Sequence, residues 1–391
     1  MNYITRTVWI LSAVSLLTDT ASEMLYPIMP IYLKTIGFSV VLIGILEGLA
    51  EAAAGFSKGY FGKLSDTSGR RVLFVQVGYA LSAVSKPMMA VFIFPLWIFS
   101  ARTIDRLGKG IRTGARDALL SEEATPQTKG KVFGFHRSMD TLGAVIGPLL
   151  ALIYLYYNPE DYKTLFYIAF IPGLSAVIAS FLLKEKNKTT YETGSPIPFF
   201  SFLHYWKESS VAYKKLASGL LFFTLFNSSD VFLLLKAKEA GLDDSALIGV
   251  YVFYNLVYAL SAFPAGIIAD IAGLKTVFVT GLFLFAAVYT GMSISKDMYV
   301  FFGLFFLYGI YAASTEGISK AWISNITEKK DTATAIGTFS ALQSICTMLA
   351  SSMTGLIWFY FGASVSFILT AAAALIAAVF ILTSIPKPAA E

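Results

Sequence analysis

Ionisable side chains fall inside long apolar stretches of this sequence, at spacings that gather them on helix faces. Asp19 and Glu23 are four residues apart, as are Glu47 and Glu51, so each pair shares one face of a helix. Lys86 stands just before Pro87. The next apolar stretch carries Arg102, Asp105, Arg106 and Lys109, then Arg112, Arg116 and Asp117. His136 and Asp140 are again four apart, on a stripe that Gly143 and Gly147 continue. A charge at the centre of a bilayer costs at least ~2.5 kcal/mol on insertion scales, so a set this large marks a pathway more readily than a packing accident. By depth, Asp19, Glu23, Glu47, Glu51, Lys86, Arg102 and Arg106 are expected to meet in one network in the first half, with Asp140 as a further member of a central cavity. Carboxylates gathered there can bind and release protons as their surroundings change. The competing reading is a set of fixed ion pairs that lock a helix bundle. For Arg112, Arg116, Asp117 and Arg137, near the ends of their stretches, the expectation is long side chains reaching out to water. His136 reads as a hydrogen-bonded spacer.

The second half is different. Its deep ionisable groups are chiefly Asp230, Glu316 and Lys320, while Tyr251, Tyr254, Asn255 and Tyr258 recur at helical spacing and Asn227 precedes Asp230. With Tyr308, Tyr311 and Gln343 these residues suggest an aromatic and polar wall. Such a wall suits an amphipathic organic molecule. The alternative is plain helix packing.

The elements that must position these groups follow from composition. Of 391 residues 56% are hydrophobic and only 14% charged, with mean hydropathy +0.67. That balance places the chain in a bilayer as an all-α integral membrane protein. Twelve spans are expected, at residues 8–33, 40–61, 72–94, 96–118, 131–157 and 163–183, then 215–236, 245–269, 275–295, 299–323, 333–360 and 363–384. The first is too long for the apolar core of a leader peptide, so no cleavage is expected. The net charge of +5 needs no nucleic acid, because the cations gather in alternate loops, as at Lys63, Arg70, Arg71, Lys129, Lys131, Lys329 and Lys330. By the positive-inside rule both termini are cytoplasmic, in a multi-pass protein of the cell (inner) membrane. Residues 189–213 read as a linker between a bundle at 1–188 and another at 214–391. Thr189, Thr190, Gly194, Ser195 and Pro196 give way there to Phe199, Phe200, Phe202, Leu203, Tyr205 and Trp206, an amphipathic helix at the inner surface. The single Cys346 excludes an internal disulfide. No metal-ligand spacing, catalytic triad or phosphate-cradling loop occurs, so neither enzyme chemistry nor a cofactor or metal is expected.

Two motifs recur. Gly62-Lys63-Leu64-Ser65-Asp66-Thr67-Ser68-Gly69-Arg70-Arg71 is echoed by Gly266-Ile267-Ile268-Ala269-Asp270-Ile271-Ala272-Gly273-Leu274-Lys275, with Gly, Asp and Gly at the same offsets. Gly130-Lys131-Val132-Phe133-Gly134 has its counterpart in Thr334-Ala335-Ile336-Gly337 at nearly the same distance. The chain is therefore read as two related halves. The first motif resembles the signature loop of the major facilitator superfamily of transporters. Gly143-Ala144-Val145-Ile146-Gly147-Pro148 is similar to the fifth-helix motif of its exporting, proton-antiporting branches. Arg102 in Arg102-Thr103-Ile104-Asp105-Arg106 resembles their fourth-helix arginine motif, diverging where Asp105 and Arg106 replace a glutamine-glycine pair.

The resemblance implies twelve helices in two pseudo-symmetric six-helix bundles, alternating access, and a monomer that exchanges protons for a small molecule. In that reading Gly62, Asp66, Gly69, Arg70 and Arg71 form a gating latch, and Gly143, Gly147 and Pro148 a helix-packing hinge. Proton-coupled export of an amphipathic compound is the leading expectation. Proton-driven uptake of an organic anion, paired by Arg102, Arg106 or Lys86, is the alternative, and a receptor or scaffold that no longer transports is a third.

Overall fold

A computed structural model describes residues 4–185, 198–242 and 244–385, which contain helices and turns and no strand. The first elements in order are α1 (Arg6–Glu23), α2 (Met29–Thr35), α3 (Val40–Ser68), α4 (Arg71–Val91), α5 (Pro95–Glu122), α6 (Lys129–Tyr157), α7 (Tyr162–Ser180), a 3₁₀ turn at Phe199–His204 leading into α8 (Tyr205–Glu208), and α9 (Val211–Thr224). There follow α10 (Val231–Glu239), α11 (Asp244–Ala272), α12 (Leu274–Ile294), α13 (Met298–Asn325), α14 (Thr332–Phe361) and α15 (Ala363–Ser384).

Ten of the twelve expected spans are single helices, and the first and seventh are each two. The expectation that 8–33 and 215–236 are each one continuous helix is corrected by the structure. Pro27 and Pro30 lack the N–H a helix interior needs, and the chain leaves helical geometry between α1 and α2. Between α9 and α10 the run Asn227-Ser228-Ser229-Asp230 supplies side chains that compete with the backbone for hydrogen bonds. The freed Ser229 N–H donates to Ser351 Oγ of α14 at 3.1 Å. Eight helices are long and apolar enough to cross a membrane on their own composition, namely α4, α6, α7 and α11 to α15. The other four spans are the two broken ones and the charge-bearing α3 and α5.

The helices sort into two compact units. One comprises residues 1–123, 139–208 and 328–341, and the other 124–138, 209–327 and 342–391. In the first, α5 packs against α3 and α4, and α7 against α1 and α4. Met24, Leu25, Met29 and Leu33 around the α1–α2 break are buried among Met89, Ile98, Ala151 and Leu165. Phe202 of the 3₁₀ turn is fully buried. The Thr338 hydroxyl donates to its carbonyl at 3.2 Å, and Lys63 Nζ to that of Ser201 at 3.1 Å. This segment therefore docks on α3 and α14 through Phe202, while Phe199, Phe200 and Leu203 are exposed. The linker residues Thr189, Thr190, Gly194, Ser195 and Pro196 lie outside the described residues. In the second unit α12 packs against α13 and α15 around buried Phe285, Tyr289, Phe301, Phe305 and Phe367.

The α6 glycines bring that helix onto α1. A Cβ at Gly147 would lie 2.6 Å from Thr20 O and 2.7 Å from Met24 N. Pro148 follows inside α6. The contact thus falls beside the α1–α2 break, where close approach of backbones replaces side-chain burial as the source of packing. Gly147→Val is expected to lower the thermal midpoint of detergent-solubilised protein, with overpacking costing about 1–3 kcal/mol. Gly303→Ala, at a position with nothing within 4 Å, serves as control and should leave it unchanged; equal midpoints for the two variants would contradict this packing role.

Candidate functional site

In the first unit, α1 with the turn after it and α5 face each other across a solvent-open pocket of about 440 Å³, mouth included. From the α1 side come Asp19, Ser22, Glu23 and Tyr26. From α5 come Arg102, Asp105, Arg106, Lys109 and Arg112. The α5 residues 102, 105, 109 and 112 are three or four apart and form one stripe. Acids on the α1 wall thus oppose a mainly basic α5 wall.

The base of the pocket is a buried ion cluster. Lys86 of α4, 2% exposed, donates to Asp105 Oδ1 at 2.8 Å and to Ser22 Oγ at 3.2 Å. Arg102 lies 3.8 Å from Asp105 Oδ2, and Ser85 Oγ donates to Oδ1 at 3.3 Å. Lys86 and Arg102 thus meet on one carboxylate. Arg106 reaches half-exposed Glu51 of α3 at 3.6 Å. Arg112 donates to Ser82 Oγ at 2.6 Å and lies 4.6 Å from the centre of the Tyr79 ring. Asp19 and Lys109 make no side-chain hydrogen bond or ion pair with any of the described residues.

Asp19, Glu23, Arg102 and Arg106 are therefore brought together, with Lys86 behind them and Glu51 at one side. The side chain of Glu47 lies outside the described residues. Asp140 does not line the pocket. It accepts a hydrogen bond from Ser15 Oγ and lies 4.0 Å from Arg116, which pairs with Asp117 at 2.9 Å. Arg112, Arg116 and Asp117 are all buried. The expectation that they reach out to water is corrected: in the interior each finds a counter-charge or an acceptor, which satisfies it without solvent. Asp105 and Lys109 are among the α5 charges noted in the sequence but outside the expected network, and Ser22 and Tyr26 are not expected there. The i+3 and i+7 offsets from Arg102 put Asp105 and Lys109 on its helix face, but nothing local marks Ser22 or Tyr26.

In the second unit, Tyr254 donates its hydroxyl to Asp230, and Asn227 Nδ2 to the Tyr311 hydroxyl at 2.9 Å. The Tyr254 ring lies 5.4 Å from Tyr251 and 5.5 Å from Tyr308, which is 5.3 Å from Tyr311. These residues form one aromatic layer. Asn255 turns back onto the Tyr251 carbonyl at 3.0 Å and is buried. Tyr258 and Glu316 are drawn instead to Arg137, Glu316 at 3.6 Å.

The repeated loops do the same work at equivalent positions. Asp66 accepts from the Thr334 N–H at 2.7 Å and the Thr334 hydroxyl at 2.8 Å, at the start of α14, and from Arg71 at 2.6 Å. Arg71 also pairs with Glu122 and donates to the Lys329 carbonyl at 3.1 Å. Asp270 accepts from the N–H groups of Gly130 and Lys131, at 2.7 and 2.9 Å, at the start of α6. Each carboxylate meets N–H groups that have no partner within the helix. A Cβ on Gly62 would lie 2.5 Å from the Ala333 carbonyl, and Gly69 ends α3 with φ 62°. Arg70 is exposed.

A model of the Major Facilitator Superfamily matches residues 11–254 and 216–391. An uncharacterized MFS-type transporter of Methanocaldococcus jannaschii is 31% identical over 366 residues, 91% of this chain and 89% of the relative. The quinolone resistance protein NorA of Staphylococcus aureus is 24% identical over 168 residues, 43% of this chain and 42% of its own. Among solved structures, the human organic anion transporter MFSD10 superposes with a TM-score of 0.82 at 16% identity, covering 96% of this chain and 99% of that one. This last likeness is one of fold.

The ion cluster sets an order of stabilities. Removing Lys86 leaves Asp105 with Arg102, whereas removing the Asp105 charge leaves two buried cations facing each other. Asp105→Asn should therefore lower the thermal midpoint more than Lys86→Met, at a cost of about 3–5 kcal/mol for the former. The reverse order in melting of the purified protein would contradict this assignment of partners.

Proposed function

This chain belongs to the Major Facilitator Superfamily and is a membrane transporter, and from that premise we propose proton-coupled export of a small amphipathic organic compound by alternating access. The observation that carries the reading is the pocket in which Asp19 and Glu23 face the bases of α5. A carboxyl group there can hold either a proton or a cationic group of the substrate. Such exclusion is what exchange requires, because a site that cannot hold both returns across the membrane with one or the other. The likeness to a quinolone resistance protein supports export of an organic compound.

Asp66 and Asp270 act as latches in this account. Each holds a helix start in one state and releases it in the other, so the capping bonds add to the stability of one state only. The bundles at 1–188 and 214–391 are the moving parts in the cell membrane, with both termini cytoplasmic and the monomer as the working unit.

A second reading, proton-driven uptake of an organic anion, is favoured by one observation: four cations against three carboxylates line the pocket. Purified protein in liposomes with an internal pH dye separates the two. Export by exchange predicts that adding substrate on one side drives protons to the other direction of its own flux, and that Asp19→Asn abolishes the proton movement. Proton and compound moving together would favour uptake, and compound flux with no proton movement would overturn both.

A further inference from the structure

The pocket's two walls carry opposite charge, and on each wall one group stands out. Resting on the reading of this pocket as the transport site, we infer that the compound carried is a zwitterion. Its ammonium group sits at Asp19 and its carboxylate or phosphate-type group at Lys109.

Among the α5 cations, Arg102 lies beside Asp105, which Lys86 also holds. Arg106 has Glu51, and Arg112 has Ser82 and the Tyr79 ring. Lys109 is exposed toward the pocket and makes no side-chain hydrogen bond or ion pair with the described residues. On the α1 wall the same holds for Asp19, whose charged surroundings are Glu23 on α1, Lys109 and Arg112 on α5, and Asp140 on α6. Asp19 and Lys109 act on each other through space without closing an ion pair within 4 Å. The pair is therefore held apart, with room between its members.

An occupant with one charge suits only one wall. A cation satisfies Asp19 but is repelled by Lys109 and Arg112, and an anion satisfies Lys109 but is repelled by Asp19 and Glu23. The low-dielectric walls of the pocket make these repulsions stronger than they would be in bulk water. A zwitterion pairs with both groups, so neither of its charges is left facing a like charge alone. When its ammonium group reaches protonated Asp19, the carboxyl proton leaves to solvent and the carboxylate pairs with the ammonium group. One proton is released for each zwitterion bound, and charge balances.

The test uses matched probes on two scaffolds, tryptophan and biphenylalanine, each as the amino acid, the amide (cation only) and the N-acetyl acid (anion only). Binding to the purified full-length transporter is read by ligand-induced thermal shift. The amino acid should bind roughly tenfold more tightly than either derivative. Lys109→Gln should abolish its advantage over the amide, Asp19→Asn its advantage over the N-acetyl acid, and Lys109→Arg should retain both. Unliganded melting of each variant reports whether it is folded. Equal or tighter binding of a singly charged probe, or no shift with any probe, overturns the inference. Proton movement in liposomes driven by a singly charged compound would leave the coupling reading standing while this one falls. Zwitterion preference without proton movement would do the opposite.

Discussion

A charge buried away from water must find a counter-charge or hydrogen-bonding partners, and most of the first unit is arranged to meet that demand along α5. That helix carries seven ionisable side chains between Arg102 and Asp117. α4 answers with Lys86, Ser85 and Ser82, α3 with Glu51, and α1 and α6 with Ser15 and Asp140. The glycine contact of α6 on α1 brings those two backbones together beside the acidic wall. Packing here serves electrostatics: the helices that supply counter-charges are the ones that must approach most closely.

The same physics acts at helix ends. Asp66 and Asp270 occupy equivalent places in the two repeats, and each accepts hydrogen bonds from N–H groups at the start of a helix that belongs to the other half of the sequence. Such charge-assisted bonds are worth about 1.5–3 kcal/mol each. The glycines beside both aspartates allow the backbones to come within reach.

Much of this was legible in the sequence. Hydropathy and the repeated Gly-Asp-Gly spacing gave the helical membrane fold, and depth with helical spacing gathered Asp19, Glu23, Arg102 and Arg106. Other features were not legible because their cause is tertiary. Arg116 looks like a cation near a segment end, and only the approach of Asp140 and Ser15 shows why it is buried. The breaks after Glu23 and Thr224 carried local signals, in Pro27 and Pro30 and in the run from Asn227 to Asp230, but apolar residues on both sides masked them. Lys109 gains its meaning only when every neighbouring cation is seen to have a partner.

The central claim is that the pocket holds a proton or a substrate group at Asp19 and never both. It is tested most directly by titrating a transported compound into detergent-solubilised protein, using isothermal calorimetry in buffers of different protonation enthalpy. The account predicts release of about one proton per compound bound, and release that disappears in Asp19→Asn. Binding with no buffer dependence, or with uptake of a proton, would contradict it.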